Sequence, residues 1–410
     1  MRNRFGRFDT FFPFCSGKGV FAPILAKFLV SLSTKMKNHH AKELLMNRRQ
    51  WLLEKLLNKE MFKLMKRVLF VVLGCVCSIL AHGQCFSGEL ATELQWNMKK
   101  KVNWTNQLRL NLSIPLWNGA GSIEASTLHM LRTNETIIDD WQGFSNIEEE
   151  NTAAAIAVLG YMHQWERAHL FFGVRNVNED FFTSDVTSLF FNGSCGIFPT
   201  IAASYPIANY PLSGLTVYFD VSKGGFMFRN SLYNGVGYNG WSKHDNPFLV
   251  RPKKDGIFNM SQLEFSYSGG NYFAGAAVHT RHYGVDPDGN QCEPDQSTKK
   301  ASCAWWVYGE QKVWQAADKE IACMAQYSEN TNSDNGCYRY AELGVAYTDS
   351  CTQCGLSGQY ARFYQGAEYS LELTWRRSLN KWLSVQPSLQ YINNRNGDFV
   401  VLCTRLTCEF

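Results

Sequence analysis

Past residue 83 the chain has no apolar run long enough to cross a membrane as a helix, and no segment repeats at a fixed period. The first absence excludes a helical membrane protein, the second a solenoid or propeller. Catalytic signatures are missing too: there is no Gly-x-Ser-x-Gly elbow, no His-Glu-x-x-His pair and no phosphate-cradling glycine loop. Glu372 with Asp398, or Glu264 with Glu342, pairs carboxylates without any motif that would set an acid against a nucleophile. Cys351-Thr352-Gln353-Cys354 lacks the second such pair, or the neighbouring histidines, that zinc asks for. Neither a metal, nor another cofactor, nor an enzyme activity is therefore expected. No run of Lys and Arg is long enough to hold nucleic acid, which is excluded as a partner on that ground.

The apolar stretch that stands out lies earlier, at residues 68–80, with Lys63, Lys66 and Arg67 before it and Ala81-His82-Gly83 after it. Thirteen residues are too few for a spanning helix, and the small residues that follow complete a secretory signal peptide at 61–83. A leader starting at Met61 or Met65 leaves residues 1–60 with no place in an exported protein, so they are read as upstream sequence ahead of the true start. The exported body is then 84–410. Residues 1–83 hold fifteen Lys plus Arg and four Asp plus Glu, so the +4 of the whole chain becomes about −7 for the body. Ten cysteines follow residue 83, an even number in an exported chain. That predicts disulfides, with Cys292, Cys303, Cys323, Cys337, Cys351 and Cys354 stapling external loops.

What the body does have is alternation. Residues 400–410 put Val400, Leu402, Thr404, Leu406, Cys408 and Phe410 on one face and Val401, Cys403, Arg405, Thr407 and Glu409 on the other. Upstream, Ala367, Tyr369, Leu371, Leu373 and Trp375 alternate with Glu368, Ser370, Glu372, Thr374 and Arg376. Leu383, Val385, Pro387, Leu389 and Tyr391 do the same against Ser384, Gln386, Ser388 and Gln390. Each run is about ten residues, the length a tilted strand needs to cross hydrocarbon. Charges confined to one parity need water on that side, which a packed core does not offer. The chain is read as all-β: a transmembrane antiparallel β-barrel in the outer membrane, greasy outside and wet within.

The first strand of the body is read at 104–116, with Leu108, Leu110, Leu112 and Ile114 outward and Arg109, Asn111 and Ser113 inward. Trp104 and Trp117 bracket it, and Phe399 and Phe410 bracket the last strand, as two interfacial aromatic girdles require. Further strands are read at 122–131, 153–164, 170–177, 215–221, 226–233, 262–268, 272–281, 305–314, 320–327 and 340–347. These make fourteen; since such barrels have an even count and weak strands escape notice, about sixteen are expected, within 14–18. Residues 184–211, with Phe190-Phe191, Gly193, Cys195, Pro199, Pro206 and Pro211, form the main irregular stretch. They are read either as a segment folded into the lumen or as an external loop.

Several blocks resemble the carbohydrate-selective porins of Gram-negative outer membranes, the OprB-type family. The strongest is the closing one: Glu372-Leu373-Thr374-Trp375-Arg376, then Trp382-Leu383-Ser384-Val385-Gln386-Pro387-Ser388-Leu389-Gln390-Tyr391-Ile392, then Arg405 before Phe410. Asp140-Trp141-Gln142-Gly143-Phe144-Ser145-Asn146-Ile147-Glu148, Gly173-Val174-Arg175 with Asn178 and Phe181-Phe182, and Glu310-Gln311 are similar to further blocks. The resemblance implies a barrel of about sixteen strands that passes sugars by diffusion through an internal constriction. The cysteine-rich stretch between Asp286 and Cys354, and Asn394-Arg395-Asn396-Gly397, depart from the family pattern.

Parity points Arg109, Arg175, Tyr218, Asp220, Arg229, Glu264, Glu342, Glu372, Arg376, Gln390 and Arg405 inward. Arg175 and Arg376 with Glu264 and Glu372 are the constriction candidates; the alternative is an ion-pair ladder that only stiffens the wall. Trp306 and Tyr308 are read either as sugar-stacking rings or, with Trp305 and Trp314, as part of a girdle. The expected partners are small saccharides, outer-membrane lipid, the barrel-assembly machinery acting on the strand that ends in Phe410, and further copies of the chain. The competing classes are a general diffusion porin, a soluble carbohydrate-binding β-sandwich and an outer-membrane lipid enzyme.

Overall fold

The computed structural model describes residues 85–285, 292–293, 297–334 and 336–410. The leader, the stretch ahead of it and the Asp286-Pro287-Asp288-Gly289-Asn290 turn lie outside them. Sixteen antiparallel strands pair in chain order and close into a barrel, β1 joining β16. They begin with β1 Cys85–Trp96, β2 Val102–Leu116, β3 Gly121–Arg132, β4 Thr152–Gln164, β5 Ala168–Arg175, β6 Gly214–Lys223, β7 Phe226–Asn234 and β8 Ile257–Tyr267. The other half is β9 Gly270–His279, β10 Ser302–Ala316, β11 Lys319–Asn330, β12 Cys337–Thr348, β13 Thr352–Phe363, β14 Gly366–Asn380, β15 Leu383–Asn394 and β16 Gly397–Glu409.

All fourteen strands expected from the alternation are present, and β1 and β13 complete the sixteen. Both have weak strand formers: Gly88, Glu89 and Glu93 in β1, Gly355 and Gly358 in β13. The strand read as first in the body is thus the second. Closure leaves no strand edge unpaired, the condition for a sheet to sit in lipid.

Side-chain burial follows the two parities. On β14, Leu371, Leu373 and Trp375 are exposed on the outer wall while Glu368, Ser370, Glu372 and Thr374 are buried within. Outward aromatics collect near both rims, Trp117, Tyr267 and Phe410 at one and Trp96, Tyr369 and Tyr391 at the other. Phe399 is not among them. It shares the inward parity of Val401 and Cys403 and packs beside them, so it does not bracket β16 on the lipid side. The connections at the rim where β1 starts and β16 ends are two to four residues long. The opposite rim carries 133–151, 176–213, 235–256 and 280–301. Short turns mark the periplasmic side and long loops the outside.

The disulfide expectation is not met: all ten cysteines among the described residues are free. Cys303, Cys323 and Cys354 lie on β10, β11 and β13 with the parity of lipid-facing neighbours, and Cys337 opens β12 buried. Of the six, only Cys292, between β9 and β10, and Cys351, between β12 and β13, lie off the strands.

Residues 176–213 turn into the lumen. Their short elements are the 3-10 turns Val177–Glu179, Thr187–Leu189 and Gly193–Cys195 and the helix α1 Pro199–Ala202. Phe182 and Phe198 lie 5.2 and 6.2 Å from Trp306 between ring centres, Phe198 is 6.0 Å from Tyr340, and Tyr205 is 5.8 Å from Phe258. Gly275 makes room for this: a side chain there would run into the Trp306 ring. Of the two readings for 184–211, the lumenal one is observed. Loop 133–151 follows it inward, packing Ile137, Ile138 and Phe144 with Phe191 against Ile392, Val401 and Cys403.

Candidate functional site

The lumen is built by inward side chains that hold inserted backbone. β14 places Glu368 and Glu372 two pleats apart on its inner face. Glu372 is 0% exposed and accepts from the Phe191 and Asn192 N–H groups at 2.9 and 3.1 Å and from Ser388 Oγ at 2.9 Å. Glu368 does the same for loop 133–151, accepting from the Trp141 and Gln142 N–H groups at 2.8 and 2.9 Å. Gln390 Nε2 donates to Phe144 O at 2.7 Å and Gln386 Nε2 to Leu189 O at 2.6 Å. Glu342 accepts from Tyr340 at 2.7 Å and from Cys195 Sγ of the inserted chain at 3.3 Å. Glu342, Glu372 and Gln390 are therefore sealed beneath inserted chain.

Six other expected residues gather on the far wall around the Val177–Glu179 turn. Asn176 caps that turn, its Oδ1 accepting from Asn178 N at 3.1 Å, and so turns two acids toward the barrel. Arg109 Nη2 donates to both Glu179 carboxylate oxygens at 2.8 Å. Arg175 Nη1 stands 3.2 Å from Asp180, and Arg229 donates to the Asp180 carbonyl and, at 2.8 Å, to Glu264. Tyr218 donates to Asp220 at 2.8 Å, and Asp220 also meets His169 Nδ1 at 2.8 Å. Arg405 pairs with Glu93 at 2.7 Å across the β1–β16 join, bonds Asn146 and covers the Phe191 ring at 4.1 Å. Arg376 sits partly exposed near the periplasmic end of β14, apart from Arg175 and Glu264.

Trp306 and Tyr308 point inward, while Trp305 and Trp314 are exposed on the outside, so the girdle reading holds only for the latter two. Trp306 is 0% exposed and donates to Gln262 at 3.2 Å. Tyr308 stacks on Phe273 at 4.3 Å and bonds Ser184 and Glu310. Neither ring offers an open face.

Wetness within the lumen is one-sided. Along β8 to β12 the inner face is closed by Phe258, Met260, Phe273, Ala322 and Ala346, all buried. On β1 to β3, Ser87, Glu89, Asn111, Ser113 and Glu124 stay open or half-open below the inserted chain. Arg109 and Glu179, 31% and 15% exposed, stand at the upper edge of this strip. Beside them Tyr210 donates to Gln107 of β2 and takes its own backbone N–H to Asn178 at 3.0 Å. Strand parity could not reach Glu179, Asp180 or Tyr210, which lie off the strands. The acidic pair Glu179-Asp180, three residues beyond the Gly173-Val174-Arg175 block, was the available signal.

Burial pushes the Asp180 carboxyl up to about 7, against the pull of Arg175. A carboxyl raised on docking favours the docked state fully below its unfolded value of about 4, and that contribution is lost as pH rises through about 7. Protease nicking of residues 184–205 in the folded barrel should therefore increase from pH 5 to pH 8, and Asp180→Asn should flatten the change. A steeper profile in Asp180→Asn would contradict this.

A closed sixteen-stranded barrel with a greasy wall and a chain segment folded into its bore is an outer-membrane porin-type β-barrel. Residues 350–410, which span β13 to β16, match the family described as "Carbohydrate-selective porin, OprB family". No curated protein matches the chain. Among solved structures, OprB of Pseudomonas putida at low pH is similar at 15% identity and a TM-score of 0.53, over 82% of this chain and 96% of that one. An anion-selective porin from Comamonas acidovorans is similar at 9% identity and a TM-score of 0.53, over 80% and 99% of the two chains. A mutant porin of Rh. blastica is similar at 10% identity and 0.52, over 80% and 100%. At these identities the likeness is one of fold.

Proposed function

We propose that the barrel passes small saccharides by passive diffusion along the wet strip of β1 to β3. The observation that carries this is the bridge of Arg109 to Glu179, both partly open to the bore, at the strip's upper edge. A sugar leaving water must exchange its hydrogen bonds for side-chain ones, and planar charged groups of both signs offer donors and acceptors together. The likeness of residues 350–410 to the carbohydrate-selective family supports the substrate class. Insertion by the barrel-assembly machinery through the strand ending in Phe410, and association with further copies, belong to the same reading.

Single-channel current in planar bilayers tests it. Mono- and oligosaccharides should reduce the current in a saturable way, and Arg109→Ala should weaken that block about tenfold, the loss of roughly 1.4 kcal/mol from a charge-assisted contact. Block by no saccharide would instead favour a general diffusion porin.

A further inference from the structure

The turn that joins β1 to β2 at the outer rim, residues 97–101, is drawn tight by one side chain. Asn97 Oδ1 accepts from the backbone N–H groups of Lys99, Lys100 and Lys101 at 3.1, 3.1 and 3.0 Å, and Asn97 Nδ2 donates to Ile137 O at 3.1 Å. The second bond ties the turn to loop 133–151, and the two line a cavity of about 450 Å³. Lys99 and Lys101 face it from the turn, Glu135 and Asp139 from the loop. Its floor is apolar: Ile137 and Ile138, both buried, and the half-buried Phe399 of β16. Asn396 Nδ2 donates to Asp139 Oδ2 at 2.9 Å and so fixes that carboxylate. Neither lysine forms an ion pair among the described residues.

Small-molecule sites occupy about 300–1,000 Å³, far more than a bridging water fills, and this cavity falls in that range. The lining selects the molecule. An anion drawn to the lysines would meet Glu135 and Asp139, and a cation drawn to the acids would meet the lysines. A neutral polyol is opposed by neither: its hydroxyls accept from ammonium groups and donate to carboxylates, and the C–H side of its ring suits an aromatic face. Phe399 supplies that face. Trp306 and Tyr308 are sealed, whereas Phe399 keeps part of its surface open and lines the cavity. We propose that this cavity is a saccharide-binding site at the outer mouth, with Phe399 as the stacking ring, Lys99 and Lys101 as donors and Glu135 and Asp139 as acceptors. Its ligand class rests on the reading of the barrel as a sugar channel. It adds a capture site that a solute entering from outside meets before Arg109, which lies further down β2.

Calorimetric titration of the detergent-solubilised protein with maltose tests the mouth apart from the bore. Arg109→Ala removes the lumenal contact, so the maltose binding that remains in that variant reports the outer cavity. Adding Phe399→Leu keeps an apolar side chain beside Val401 and Cys403 but no flat face, and should weaken the remaining binding about fivefold. Adding Lys99→Gln and Lys101→Gln instead should weaken it by a similar factor, and the heat-modifiable gel band checks that each variant is a closed barrel. Equal maltose affinity with and without Phe399→Leu overturns the proposal, as does the loss of all maltose binding in Arg109→Ala alone. Channel block separates this site from the pore reading. A chain that binds maltose through Phe399 while no saccharide blocks its current keeps the site and loses the sugar channel.

Discussion

Replacing residues 184–208 with a short Gly-Ser linker should raise single-channel conductance several-fold and abolish any saturable block by sugars. The segment fills one side of the bore with Phe190, Phe198, Ile201 and Tyr205, all buried. Its removal leaves the wall continuous, because β5 and β6 pair directly from Ala168 and Val221 to Arg175 and Gly214. The shortened barrel should still close, though less stably. Phe258, Met260, Trp306 and Tyr340 would then face water, at about 1.5–3 kcal/mol for each side chain fully uncovered. Conductance equal to that of the intact protein would show that the segment does not limit flow.

Glu372→Ala should have the second largest effect. The carboxylate is the acceptor for two successive inserted N–H groups and for Ser388, and no water reaches it from the bore. Removing it orphans three donors at about 1–3 kcal/mol each, so roughly 3–6 kcal/mol of docking is lost after partial relaxation. The folded gel band should vanish at a much lower temperature, and protease should cut between residues 184 and 205 in barrels that remain closed. Glu372→Gln keeps one acceptor oxygen at the same place and should lose about half as much. If Glu372→Ala melts and resists protease like the unaltered chain, the clamp is not what holds the segment.

Much of the wall was legible because its residues meet two solvents, and that contrast writes a period of two into the chain. The legibility failed where the contrast weakens. β1 hid because Glu89 and Glu93 depress strand propensity, and with it went Glu93, the partner of Arg405. Around β10, Gln311 is an outward polar residue near the rim, bonded to Ser268 O, and the register slips between Lys312 and Trp314, so parity there could not assign Trp306. Phe399 reads as a rim aromatic until loop 133–151 is seen beneath it. The inserted segment has no period at all, so its aromatics and prolines could not say which side of the wall they occupied. Glu372 was visible as an inward acid, yet its two backbone donors lie about 180 residues away in sequence.

The join between β1 and β16 decides whether the sheet closes. Gly88 exchanges backbone hydrogen bonds with Phe410 at 2.7 and 2.9 Å, and the Phe410 ring occupies the space a side chain at residue 88 would need. Further along the join, Glu93 has its Arg405 counter-charge on β16. Without β16 against β1 that acid has no counter-charge and the cylinder has no way to shut. A single pair of strands, some three hundred residues apart along the chain, thus acts as the fastener for the whole hoop.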